Sequence, residues 1–172
     1  MERKTEPRDL LVALLLVQSL LERRGETFFQ PFGLTGAQFN ILNLLADHEG
    51  KMDQSTLVDL LLVGKSSISI VLNRMVRDGL VKREEHPKDR RQVVLSLTSK
   101  SRALWRKISP IYKASVEQVF GVLPASRRGH FLNDLKTLHD VLLSEAGGSE
   151  SSNYWNSHFS ADVSDLSKEK GR

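Results

Sequence analysis

The sequence predicts a mainly α-helical chain carrying one small β-wing, and three observations support that class. Apolar residues recur at helical spacing through most of the 172 residues, as in Ile68, Val71, Leu72 and Met75. The apolar period falls to two in one region, between Leu80 and Leu97. Glycine or proline punctuates the helical stretches at Gly25, Gly50, Gly64, Gly79 and Pro124. A chain of this length, 40% apolar, has room for a real core.

The first helix is expected over residues 8–24, stopped near Gly25, with Pro31 and Gly33 marking a loop. Thr35 offers an N-cap oxygen and Gln38, three residues on, completes a capping box for a second helix ending around Gly50. A third runs from Asp53 through Leu57, Leu60 and Leu61, and Gly64 breaks it. The fourth begins at Lys65–Ser66 and Gly79 closes it. Two strands follow, Leu80–Glu85 and Val93–Leu97, with Val93, Leu95 and Leu97 on one face. Between them, His86 to Arg91 form a charged hairpin loop. Thr98 caps a long helix through Leu104, Ile108, Val119 and Val122, in which Pro110 predicts a kink. Leu123–Pro124 start the last helix, with Phe131, Leu135, Leu138 and Leu142 as a stripe. From Gly147 the composition turns to Ser, Gly and charge, which predicts disorder over 147–172.

Composition and motif spacing narrow the function. No cysteine means no disulfide, thiolate zinc site or catalytic thiol. The apolar run Leu10–Val17 is too short for a bilayer, which needs ~20 residues. Acidic residues Glu2, Glu6 and Asp9 before it, and no small-x-small site after it, argue against a secretory signal. The expectation is a cytoplasmic protein with no membrane partner. Gly64-Lys65-Ser66 mimics the end of a phosphate-binding loop, but Asp59 stands where its first glycine is needed. The five histidines are scattered, without paired metal-ligand spacing, so no enzyme, metal or cofactor is expected.

Charge has an address. Residues 63–91 carry 8 basic and 4 acidic side chains, while both termini are acidic. Two short helices, a tight turn and a two-stranded hairpin describe a winged helix-turn-helix. Its second helix buries Ile68, Val71, Leu72 and Met75, leaving Lys65, Ser66, Ser67, Ser69, Ile70, Asn73, Arg74 and Arg77 as candidate contacts. Small hydroxyls at a helix N-terminus approach phosphates or base edges closely, and Asn and Arg suit a major groove. In the hairpin, Lys88, Arg90 and Arg91 surround Asp89, and arginine suits a narrow minor groove. The plain alternatives are a solvated helix face and a solvated turn with a surface ion pair worth at most ~1 kcal/mol.

These residues resemble the MarR (multiple antibiotic resistance regulator) family over roughly residues 8–144. LTGAQFNIL (34–42) is similar to the family's second helix, and SSISIVLNRMVRDGLVKR (66–83) to its recognition helix and exit into the wing. KDRRQVVLSLT (88–98) is the most specific element, an Asp-x-Arg wing followed by Leu-Thr. The resemblance implies a homodimer built from 8–33 and 98–146, with 34–97 as a lobe binding double-stranded DNA. It implies groove or phosphate contacts for Ser66, Ser67, Ser69, Asn73 and Arg74, and Arg91 as wing-tip arginine. It also implies a ligand-responsive repressor, as in bacterial regulators, with a small aromatic or anionic effector. Lys100, Arg102, Arg106, Lys107 and Lys113 are candidate anion partners, weighed against a solvated face.

The chain departs from the family at Ile70, where a polar or basic residue is usual, at Leu60 and Leu62, and at Ser99-Lys100-Ser101. The alternative function is a winged-helix protein–protein module, which predicts an apolar patch around Ser66, Ser67 and Ser69.

Overall fold

The computed structural model describes residues 5–61, 65–86 and 89–145, and the side chains of all of these except 65–67 and 89–91. Six α-helices and a three-stranded antiparallel sheet occur among them. Helix α1 spans Pro7–Phe29, followed by a single 3-10 turn over Gln30–Phe32. Helix α2 is Gly36–Asp47, strand β1 Lys51–Asp53, helix α3 Gln54–Leu60 and helix α4 Lys65–Arg77. Strands β2 (Val81–His86) and β3 (Asp89–Leu97) precede helices α5 (Ser99–Phe120) and α6 (Ala125–Glu145). The mainly helical fold with a small wing is therefore as the sequence predicts.

The local signals that held are chemical ones. The Thr35 hydroxyl accepts from the Gln38 backbone N–H at 3.2 Å, and the Gln38 amide oxygen accepts from Thr35 N–H at 2.9 Å. Thr98 caps α5 through Ser101 N–H at 3.1 Å. Gly79 takes φ +68° just after α4, a conformation that a Cβ disfavours.

Four expectations need correction. Helix α1 runs through Gly25 to Phe29, four residues beyond the expected stop. Phe29 is buried and stacks on Phe39 with ring centroids 4.7 Å apart, and Phe28 meets Tyr112 edge-on at 5.7 Å. That packing offsets the roughly 1 kcal/mol a helical glycine costs. A third strand was missed: β1 pairs with β3, Met52 opposite Leu95, giving the order β1-β3-β2. The charged loop is also shorter than expected. Asp89 to Arg91 belong to β3, and Asp89 already pairs with His86. Val122, expected on the long helix, lies beyond its end at Phe120. The break at Gly64, Leu62, Lys88 and the tail 147–172 lie outside the described residues.

One core gathers most of the buried apolar side chains. Leu42 and Leu45 from α2, Leu57 from α3, Leu72 and Met75 from α4, Leu95 from β3 and Ile108 from α5 are fully buried together. Gly50 lies inside this fold with φ +84°, its N–H donating to Leu45 O at 2.7 Å and its carbonyl accepting from Leu97 N–H at 2.8 Å. A Cβ there meets the Arg102 guanidinium.

Helix α5 is tied to the turn that ends α4. The Thr98 hydroxyl donates to Gly79 O at 2.8 Å and Lys100 Nζ donates to Asp78 O at 2.9 Å. Arg24 joins α1 to α5 by donating to Ser115 Oγ at 2.9 Å and Gln118 Oε1 at 3.2 Å. Thr98 serves two elements at once, as cap and as tie. Thr98→Val keeps its shape and is expected to cost about 1–2 kcal/mol, read as a lower urea midpoint with unchanged slope. An unchanged midpoint would show that neither bond contributes.

Candidate nucleic-acid interface

Helix α4 is amphipathic, and its orientation follows from what it buries. Ile68, Leu72 and Met75, at offsets of four and three, are all buried against the core. Residues on the opposite side must then face water. Ile70 is 72% exposed, and Asn73, Arg74 and Arg77 are exposed with it. Ile70, Asn73 or Arg74, and Arg77 lie about one turn apart along the helix, close to the spacing of side chains that reach neighbouring base pairs. Ser69 sits at the flank, half-buried.

Two polar contacts on this face involve Asn73 and Arg74. Arg83 of β2 donates from Nη1 to Asn73 Oδ1 at 2.6 Å. Arg74 Nε lies 3.7 Å from the Asp78 carboxylate one turn on, a loose surface pair that constrains the guanidinium weakly. Arg83 was not among the residues singled out from the sequence. Strand β2 carries it beside α4, where it joins the same surface as Asn73.

The structure therefore brings together Ile70, Asn73, Arg74 and Arg77. The side chains of Lys65, Ser66 and Ser67, at the start of α4, lie outside the described residues, as do those of Asp89, Arg90 and Arg91. Their backbone stands at the first turn of α4 and at the start of β3. Lys88 is outside altogether.

Elsewhere the long helices expose large apolar side chains as well as charge. Leu10 to Leu21 of α1 leave nine large apolar side chains exposed, Leu16 at 61%. Helix α6 buries none of its residues, and Phe131, Leu138, Val141 and Leu142 are exposed. On the same helix Lys136, and then His139, hydrogen-bond the Asp140 carboxyl and hold it below the usual carboxylate range. A cavity of about 810 Å³ lies between the end of α1, α2 and α4, lined by Phe29, Ile41, Ile68, Val71 and Tyr112, with Glu22 and Glu26. A groove of about 780 Å³ on the other side of α1 is lined by Arg23, Arg24, Phe28 and Ile111. None of Lys100, Arg102, Arg106, Lys107 and Lys113 lines either one. Among the described residues there is no cluster able to hold a metal ion, and no helix long and apolar enough to cross a membrane.

Comparison with known proteins agrees with this architecture. A MarR family model matches residues 32–92, the stretch from the end of the 3-10 turn through the wing. The structure is similar to that of AbsC, a MarR family transcriptional regulator from Streptomyces coelicolor. The TM-score is 0.75 and the identity 31%, covering 83% of this chain and 99% of that one. The HTH-type transcriptional repressor YetL of Bacillus subtilis (strain 168) is 25% identical over 135 residues, 78% of this chain and 81% of that protein. The HTH-type transcriptional regulator YkoM of the same organism is 30% identical over 115 residues, 67% and 69% of the two chains. With identities of 31% and 30% to regulators covered over most of their length, the chain belongs to the MarR family of transcriptional regulators, which are not enzymes.

Proposed function

We propose that this protein is a sequence-specific, double-stranded-DNA-binding repressor that works as a homodimer on a pseudo-palindromic operator. One observation carries the DNA reading: the outward face of α4 is polar and cationic at the end of a helix-turn-helix. Lys65, Ser66, Ser67, Ser69, Ile70, Asn73, Arg74 and Arg77 are assigned to the major groove and its phosphates. Lys88, Asp89, Arg90 and Arg91 are assigned to the wing's minor-groove contact. A protein–protein module would need an apolar patch here, and Ile70 stands among Asn73, Arg74 and Arg77 instead. Repression is the activity named for the relative YetL.

Salt dependence tests this directly. Each phosphate neutralised contributes about 0.9 to the slope of log affinity against log salt. The wild type is expected to lose affinity steeply from 50 to 200 mM salt, and Arg91→Ala to bind more weakly with a shallower slope. Retention indifferent to salt and to Arg91→Ala contradicts the assignment.

The dimer is carried by residues 8–33 and 98–146, flanking the DNA-binding lobe of 34–97. The exposed apolar faces of α1 and α6 support this, since a second copy covering them removes that surface from water. Two recognition helices then meet half-sites about one DNA turn, ~34 Å, apart. Light scattering should give twice the chain mass of 19.4 kDa. Leu16→Arg should shift the mass toward one chain and abolish operator binding, whereas a wild-type chain of single mass at micromolar concentration contradicts the dimer.

Regulation is assigned to a small aromatic ligand in the cavity between α1, α2 and α4. Its floor is aromatic, and it touches Ile68 and Val71 on the back of α4. Among the described residues its lining holds two carboxylates and no lysine or arginine, which favours a neutral aromatic over an anionic one. Such a ligand changes operator affinity only by binding two arrangements of the lobes unequally. Titration with a neutral phenol is expected to weaken operator binding in the wild type and less so in Tyr112→Ala. No change with any aromatic tested contradicts the switch.

A further inference from the structure

The outward face of α4 carries one feature that phosphate binding does not use: a large apolar side chain at its centre. Ile70 is 72% exposed and is not among the residues packed on the core, whereas Ile68, Leu72 and Met75 are buried in it. It lies one turn before Asn73 on the same face.

The second feature is the state of Asn73. Arginine has five N–H donors and no acceptor, so the atom facing Arg83 Nη1 at 2.6 Å is the amide oxygen. The bond therefore settles the orientation of the amide. The familiar bidentate contact with adenine needs that oxygen to accept from N6–H while Nδ2 donates to N7. With one of its two lone pairs engaged by Arg83, that oxygen keeps a single acceptor site, and Nδ2 is the group that Asn73 presents as a donor.

An apolar surface beside a donor has a specific complement in the major groove. Thymine presents a C5 methyl and an O4 acceptor, and purines present N7. Cytosine offers a donor and no methyl at the corresponding positions. We propose that Ile70 reads a thymine C5 methyl in each half-site, and that Asn73, held by Arg83, donates to an acceptor on the same or adjacent base pair. Arg83 is a positioning residue in this arrangement.

This inference rests on the DNA reading above, and its test separates the two. A duplex selected from a random pool by the wild-type protein is remade with each thymine replaced singly by deoxyuridine, which deletes the methyl and keeps O4. One replacement per half-site is expected to weaken wild-type binding about four-fold, the worth of one buried methyl group at ~0.8 kcal/mol. Ile70→Ala should bind the unmodified duplex several-fold more weakly and be indifferent to that same replacement. Because Ile70 is exposed, this variant leaves the core untouched. Selection repeated with Arg83→Leu is expected to change the preferred base next to that thymine and to leave the thymine itself preferred.

If the wild type selects a duplex yet every deoxyuridine replacement is silent, the Ile70 assignment is wrong while DNA binding stands. A replacement that weakens Ile70→Ala as much as wild type also overturns it, since the methyl then acts through duplex stiffness. An Arg83→Leu pool identical to that of wild type overturns the role given to Asn73 and Arg83. If no duplex is retained in a salt-sensitive manner, the DNA reading fails and this inference fails with it.

Discussion

The structure depends on the burial of one stripe, Ile68, Leu72 and Met75 of α4, against Leu42 and Leu45 of α2 and Leu95 of β3. These residues are 3% exposed or less, so α4 cannot roll without exposing several large side chains to water. Burial of each is worth about 1.5–3 kcal/mol. Everything presented on the far side follows from that seating, including the projection of Ile70 and the meeting of Asn73 with Arg83. The face proposed to meet DNA is thus specified by residues buried behind it.

The same logic of shared contacts links α4 to the rest of the chain. Thr98 and Lys100 hold the turn after α4 to the start of α5, while Phe28, Phe29, Phe39 and Tyr112 pack α1, α2 and α5 into one aromatic joint. The first of these contacts bears on the turn that ends α4, the second on the helices that flank it. The cavity beside the joint touches Phe29, Tyr112, Ile68 and Val71, so an occupant would bear on both sets of contacts. Coupling of this kind needs two arrangements that the ligand distinguishes, and a packed joint supplies them more readily than a flexible linker.

Much of this was legible in the sequence where a rule is local. The capping box of Thr35 and Gln38, the cap of Thr98 and the stripe of α4 each depend on residues within one or two turns. What escaped depends on partners distant along the chain. Strand β1 is three residues long, too short to show a period, and exists because β3 lies beside it. Gly25 sits inside a helix because the aromatic cluster beyond it rewards continuation. The polar residues Asp89 to Arg91 have no apolar alternation, so only pairing with β2 reveals them as strand. The contact of Arg83 with Asn73 joins a strand to a helix ten residues earlier, and no spacing rule announces it. The apolar character of α1, by contrast, is plain in the run Leu10–Val17, whose side chains the structure leaves largely exposed.

Position 70 is proposed to lie against base edges in the major groove. A photo-crosslinking side chain introduced there, on the protein bound to its selected duplex, measures this most directly. Position 117 of α5, about 27 Å along that helix from Ser99, serves as the reference. Crosslinks are expected from position 70 to bases at two symmetric sites, and none from position 117. Equal crosslinking from both positions, or crosslinking only to protein from position 70, would contradict that placement.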